Sequence, residues 1–373
     1  MRLTRDEGDS ATSDAGTLAE LTQHLRRELW PEVFRMRGLS PRERWLEAYG
    51  DPHFGLPRTQ TEMEVVRIVR SVLGVDATAP EEDLEERGLT DRSAVALAAR
   101  IGAHFSIDVE PGDILHRRSV ANIATMLDDR RGPQSATHVV RLRNGGAAAA
   151  LVFLHPLDGS CLWYFAVADD LRTNVSIWSI GSHGLCRPGP LDSSVALMAV
   201  RYVEDLRNVR PHGPYYLCGW SFGGLLAWEM AHLLEKSGEV ARALVVDSMN
   251  QAILGSPGVA TIPAELIIRD MRAAELTSRC VDEAALHRRA DVCLANARAA
   301  ERYVPSPLST VPVLFRSIHG FVSDGFRHPD RGWLGFCRTG LDIQLVPGSH
   351  FALMKSAGSR RQLGAHIDDL LLG

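Results

Sequence analysis

One stretch constrains the fold of this chain more than any other. Tyr215-Tyr216-Leu217-Cys218 is apolar, Gly219-Trp220-Ser221-Phe222-Gly223-Gly224 follows it, and Leu225-Leu226-Ala227-Trp228-Glu229-Met230 opens a helical pattern. Strand, G-x-S-x-G, helix is the order in which a serine sits on a sharp, strained turn with its hydroxyl projecting from a sheet edge. Side chains at 219 or 223 would collide with the flanking elements, so both positions call for glycine. The helix beyond aims its first N–H groups and a partial positive charge at the place where an oxyanion develops. Ser221 is therefore a candidate nucleophile, and the turn asks for a parallel sheet with helices around it.

The rest of the chain from residue 138 supplies that framework. Val139–Leu142 and Leu151–Leu154 are strand-like, with a turn at Asn144-Gly145-Gly146 between them. Ile177–Ile180, Tyr215–Cys218, Ala243–Val246, Val311–Phe315 and Leu341–Val346 continue the series. Helical stretches are predicted at about 193–208, 222–236 and 359–372. Short apolar runs alternating with helices mean an α/β domain whose mostly parallel sheet is covered on both faces.

The preceding residues have a different texture. Val65, Ile68, Val69 and Val72 repeat at helical spacing, as do Ala94, Leu97, Ala98 and Ile101, and Val120, Ile123, Ala124 and Leu127. This predicts a small helical bundle over 58–130, with a polar loop at 74–90 and a charged linker from Asp128 to Ser135. Residues 1–16 are polar and are expected to lack fixed structure. Helices are predicted at Leu18–Leu29 and from Ser40, ending at Gly50. Segment 1–57 is thus either a leader packed on the next domain or a docking element for a partner.

A serine nucleophile needs a base, and the base an orienting acid, in the chain order Ser, acid, His. His350, in Val346-Pro347-Gly348-Ser349-His350-Phe351, has the right order and follows the last strand. Asp247, directly after Ala243–Val246, is the favoured acid, because that strand end shares a sheet edge with Ser221. Asp324, in the loop after Val311–Phe315, is the runner-up. The oxyanion donors are expected to be the N–H groups of Leu157 and Phe222, since Pro156 has none. His155 precedes Ser221 and suits a structural hydrogen bond.

Composition narrows the partners. The 373 residues carry 41 Lys and Arg against 46 Asp and Glu, a net charge of −5 that gives no support to nucleic acid or anionic membrane. The longest apolar run, Ala147–Leu154, is far short of the ~20 residues that span a bilayer. The N-terminus lacks the apolar core of a signal peptide. Six cysteines form no C-x-x-C pair and no metal-spaced set with histidine, so a cytoplasmic enzyme with free thiols, no metal and no bound cofactor is expected.

Residues 138–373 resemble the thioesterase domain that ends nonribosomal peptide synthetases. The resemblance rests on His155-Pro156-Leu157-Asp158-Gly159, G-W-S-F-G-G at 219–224, L-V-V-D-S at 244–248, V-P-V-L-F-R-S at 311–317 and V-P-G-S-H-F at 346–351. It implies an α/β-hydrolase fold, supports Asp247 over Asp324, and implies a helical lid at about 249–310. Residues 58–130 resemble the peptidyl carrier domain that precedes such a thioesterase, from Pro57-Arg58-Thr59-Gln60-Thr61-Glu62 onward. The resemblance places Asp91 where a carrier has the serine that bears phosphopantetheine. Asp91 has no hydroxyl to accept that group, and Ser93 is turned roughly 200° away on a helix. The implied enzyme releases a peptide or peptide–polyketide chain through an acyl-serine, by hydrolysis or macrocyclisation. Its substrate would arrive in trans on a separate carrier that bears the arm. The rival readings are an editing (type II) thioesterase and a non-catalytic carrier-like scaffold.

Overall fold

The computed structural model describes residues 2–3, 60–75, 80, 82–131, 138–161, 163–186, 189–251, 263–265, 267–268, 283–318 and 328–372. The helices predicted at 18–29 and after Ser40, the linker residues 132–135 and Asp324 lie outside the described residues. The chain divides into two compact units.

The smaller unit contains α1 (Gln60–Leu73), α2 (Asp91–Phe105), α3 (Pro111–Arg117) and α4 (Val120–Arg131). Val65 and Val69 of α1, Leu97 and Ile101 of α2, and Ile123 and Leu127 of α4 close a common core with Leu84 and Leu89 of the connection. The helical periodicity read from the sequence is the buried face of each of these helices. α3 was not predicted. It is seven residues long and buries only Ile114, too little for a periodic signal. Its cues are local: Pro111 at the first helical position, and a capping box between Glu110 and Asp113.

The larger unit is built on one eight-stranded sheet. Its strands are β1 (Arg2–Leu3), β2 (Val139–Arg143), β3 (Gly146–Leu154), β4 (Val175–Ile180), β5 (Tyr215–Trp220), β6 (Ala241–Val246), β7 (Val313–Ser317) and β8 (Leu341–Val346). They lie in the order β1-β8-β7-β6-β5-β3-β4-β2. The two edge strands run antiparallel to their neighbours, and the other pairings are parallel. This is the expected α/β arrangement, with three local corrections. Arg2–Leu3, inside the segment expected to lack structure, pairs with Asp342 and Leu341 through backbone groups that need no apolar pattern. β2 and β3 flank Asn144-Gly145 but do not pair, because β4 lies between them. β7 begins at Val313 rather than Val311, since Pro312 has no N–H to give a ladder.

Around the sheet lie α5 (Trp163–Asp170), α6 (His183–Cys186), α7 (Val195–Val209), α8 (Phe222–Lys236), α9 (Glu283–Glu301), α10 (Ala352–Lys355) and α11 (Ala357–Leu372). α8 is buried along most of its length, and Trp228 stacks on Trp333 with ring centroids 4.5 Å apart. α5 escaped prediction because Tyr164, Phe165, Val167 and Ala168 are all buried, which blurs the polar face a periodic pattern needs. Among the described residues no helix is long and apolar enough to cross a membrane.

Candidate active site

β5 ends at Trp220 and α8 starts at Phe222, so Ser221 alone makes the turn. Its backbone sits at φ 57°, ψ −123°, a region that residues with side chains rarely adopt. Only bare backbone fits around it. A Cβ on Gly219 would stand 1.9 Å from the Gly223 carbonyl oxygen, and one on Gly223 would stand 2.3 Å from that of Leu154. The Ser221 N–H donates to the Val246 carbonyl at 3.0 Å. Val246 closes β6 opposite Trp220, so Asp247 emerges beside the turn.

Asp247 is buried and has φ 44°. Its Oδ2 lies 2.8 Å from His350 Nδ1 and accepts from the Ser317 hydroxyl at 2.8 Å. Its Oδ1 accepts from the Ser317 N–H and from Arg331 Nη2, both at 3.1 Å. Burial alone would raise the carboxyl pKa. The Arg331 charge, the hydrogen bond and charge of His350, and the Ser317 hydroxyl together outweigh burial and hold it well below the usual carboxylate range. An ionised Asp247 favours the tautomer with the proton on His350 Nδ1, which leaves Nε2 as the proton acceptor.

The loop after β8 is tied to the turn by its neighbour. Trp220 Nε1 donates to the His350 carbonyl at 3.1 Å, and the two rings lie 4.8 Å apart. Phe351 sits edge-on to both, at 5.0 Å from His350 and 5.4 Å from Trp220. The residue before the candidate nucleophile thus anchors the loop that carries the candidate base.

The two expected oxyanion donors lie at the ends of neighbouring strands. Phe222 is the first residue of α8, where N–H groups have no intrahelical acceptor. Leu157 lies in the turn after β3, closed by Gly159 N–H donating to Pro156 O at 3.0 Å. His155 anchors that turn. Its Nδ1 is 2.8 Å from Pro156 O and its Nε2 2.9 Å from the Tyr202 hydroxyl. Burial pushes its pKa down to about 4, so the ring is neutral and structural. α9, from the segment read as a lid, holds the same turn. Asn296 Nδ2 donates to Leu157 O at 2.9 Å, and Arg289 Nη2 reaches Asp158 Oδ2 at 2.6 Å.

The structure therefore brings Asp247 and His350 together beside the Ser221 turn, while Asp324 lies outside the described residues. Arg331, Ser317, Trp220 and Asn296 were missed by sequence reasoning. Each acts across 70 or more residues: Arg331 and Asn296 stand in no quoted motif, and the motifs that contain Trp220 and Ser317 do not reveal their distant partners. The described cysteines at 161, 218, 293 and 337 are buried, and burial raises the Cys218 and Cys293 thiols, so neither competes with Ser221 as a nucleophile.

In the helical unit, Asp91 is exposed in the first turn of α2, just past the cap Thr90. Ser93 is engaged in the capping box. Its Oγ accepts from Thr90 N–H at 2.8 Å, and Thr90 Oγ1 accepts from Ser93 N–H at 3.3 Å.

Comparison with known proteins gives two family matches. Residues 149–371 match the family model of the thioesterase domain, and residues 64–127 match that of the phosphopantetheine attachment site. Enterobactin synthase component F of Escherichia coli O157:H7 is 32% identical over 189 residues, 49% of this chain and 14% of that protein. The NocB thioesterase domain from the nocardicin cluster is 29% identical with a TM-score of 0.51, over 63% of this chain and 99% of that one. A holo four-domain nonribosomal peptide synthetase bound to AMP and glycine shares the fold, with a TM-score of 0.70 at 22% identity, over 84% of this chain and 26% of that one. The chain spans between 2% and 16% of the length of the curated relatives it matches.

Proposed function

The chain belongs to the thioesterase family, and from that premise we propose that it releases a peptide or peptide–polyketide chain from a carrier-bound thioester in natural-product biosynthesis. Ser221 Oγ attacks the thioester carbonyl while His350 Nε2 takes its proton. The N–H groups of Leu157 and Phe222 receive the oxyanion. The C–S bond then breaks, and the carrier thiol leaves with the proton from His350. The acyl-serine next meets water or an amine or hydroxyl of its own chain. His350 takes a proton from that nucleophile and returns it to Ser221 Oγ as the ester bond breaks, giving an acid or a macrocycle. Asp247 holds the imidazole in the required tautomer throughout.

The observation that carries this reading is the Ser221 turn beside a buried Asp247–His350 pair at 2.8 Å. Decay to a scaffold would leave no reason to maintain a strained serine and a buried, charge-balanced acid. The carrier-like unit adds the route of delivery. With Asp91 in place of a hydroxyl-bearing residue, this chain has no attachment point for an arm there, so the acyl group arrives on a separate carrier protein. The phosphopantetheine arm belongs to that partner. A fluorophosphonate probe tests the assignment: it should phosphonylate Ser221 in the wild type, and labelling should vanish in Ser221→Ala. Labelling that persists in that variant, or that maps elsewhere, would overturn it.

A further inference from the structure

Outside the active site, three side chains converge at the β2–β4 edge of the sheet. His138 precedes β2, His183 opens α6, and Asp205 lies on α7. His138 Nε2 and His183 Nε2 are 2.8 Å apart. Asp205 Oδ2 is 2.8 Å from the first and 2.9 Å from the second. The three atoms form a nearly equilateral triangle, and among the described residues they make up a set able to hold a metal ion.

With Asp205 ionised, hydrogen bonds cannot complete that triangle. An imidazole nitrogen carries either one hydrogen or one lone pair. If both Nε2 atoms donate to Asp205, their N–H groups face each other across 2.8 Å. If one accepts from the other, its lone pair is spent there, and its contact with the carboxylate oxygen sets acceptor against acceptor. Protonating Asp205 would pair all three edges, but only by sharing one His183 hydrogen and one His138 lone pair between two contacts each, and by giving up the carboxylate charge.

A cation satisfies all three contacts, since each of the three atoms then offers it a lone pair. The spacing also fits a particular shell. With bonds of about 2.0–2.1 Å to imidazole and carboxylate, neighbouring ligands of an octahedron stand about 2.9 Å apart, whereas those of a tetrahedron stand about 3.3 Å apart. The observed 2.8–2.9 Å is that of one octahedral face, the two-His, one-carboxylate facial set.

We propose that His138, His183 and Asp205 bind a divalent first-row transition-metal ion in a six-coordinate shell, with solvent completing it. Side-chain exposures of 7%, 19% and 25% make the set only partly buried, so solvent can supply the remaining ligands. Two hydrogen bonds tie the chain at the ligands: Gly181 N–H donates to His138 O at 2.7 Å, and the Arg288 side chain donates from Nε to the carbonyl of Gly184, next to His183, at 2.6 Å. Two neutral imidazoles and one carboxylate offset one of the ion's two charges, a balance that suits a partly buried site. No local pattern marks the set, because the ligands stand 45 and 22 residues apart and follow no metal-binding spacing.

The test is a Co2+ titration of the tag-free full-length protein after chelation and dialysis. The site predicts one equivalent bound, with the weak visible bands of six-coordinate Co2+, displaced by Zn2+. His183→Gln and Asp205→Asn should each weaken Co2+ binding at least about tenfold, since even changes outside the ligand set cost that much. The wild-type thermal midpoint is a readout that needs no variant: it should rise with Zn2+ and fall back on chelation. No stoichiometric Co2+ uptake, uptake unaltered in both variants, or a midpoint indifferent to Zn2+ would each overturn the proposal.

Discussion

At the scale of single residues, Asp247 is the most constrained group in the molecule. It is a buried carboxylate with four polar contacts and a left-handed backbone. A charge so placed is tolerated only because Arg331, itself fully buried, lies 3.1 Å away. The pair keeps Asp247 ionised, which is what an imidazole that becomes cationic requires. Asp247→Asn should therefore lower thioester turnover by about 10⁴-fold, because the wrong His350 tautomer predominates. Asp324→Asn should leave turnover near wild type. Rates of both variants on one thioester decide the matter, and the reverse pattern would move the acid to Asp324. Asp247 was legible in the sequence because a strand end marks it. Arg331 was not. It sits in Pro329-Asp330-Arg331-Gly332, 84 residues away, and nothing local distinguishes a buried arginine there from a turn residue at the surface.

Among the elements, the β5–Ser221–α8 unit makes the most exacting demands. Its glycines are required by the distance between backbones, so the cost of a methyl group is predictable. In Gly223→Ala the new Cβ meets the Leu154 oxygen at 2.3 Å and cannot be relieved by a side-chain shift. Stability should fall by about 2 kcal/mol or more in a denaturant titration. Gly358→Ala on α11 has its nearest neighbour at 3.9 Å and should be neutral, or stabilising by up to ~1 kcal/mol. Equal effects at the two positions would contradict the crowding argument. The same contrast explains which elements could be read from sequence. β5, α8 and the central strands announce themselves through long apolar runs. β1 is held by two backbone pairings, α3 by its caps, and α5 by burial on nearly all sides, and none of these leaves a period.

At the scale of the whole molecule, one chain joins a thioesterase domain to a region matching the phosphopantetheine attachment family. The proposed function makes the second a carrier in fold alone. Incubation with a promiscuous phosphopantetheinyl transferase and coenzyme A should add no mass to the intact protein. A gain of one phosphopantetheine, lost on Ser93→Ala, would show a live carrier and an attachment point displaced from Asp91. The capping role of Ser93 argues against it, since its hydroxyl and N–H are both engaged with Thr90. The bundle's fold was legible because its helices kept their apolar faces.

Whether Ser221 carries the acyl chain is read by intact-protein mass spectrometry during turnover of a peptidyl thioester. A transient mass gain equal to the acyl group, mapped to Ser221, is the expected result. Ser221→Ala should show neither the adduct nor more than about 10⁻⁴ of the wild-type rate. Turnover above a tenth of wild type in Ser221→Ala, or an adduct on any other residue, would contradict it.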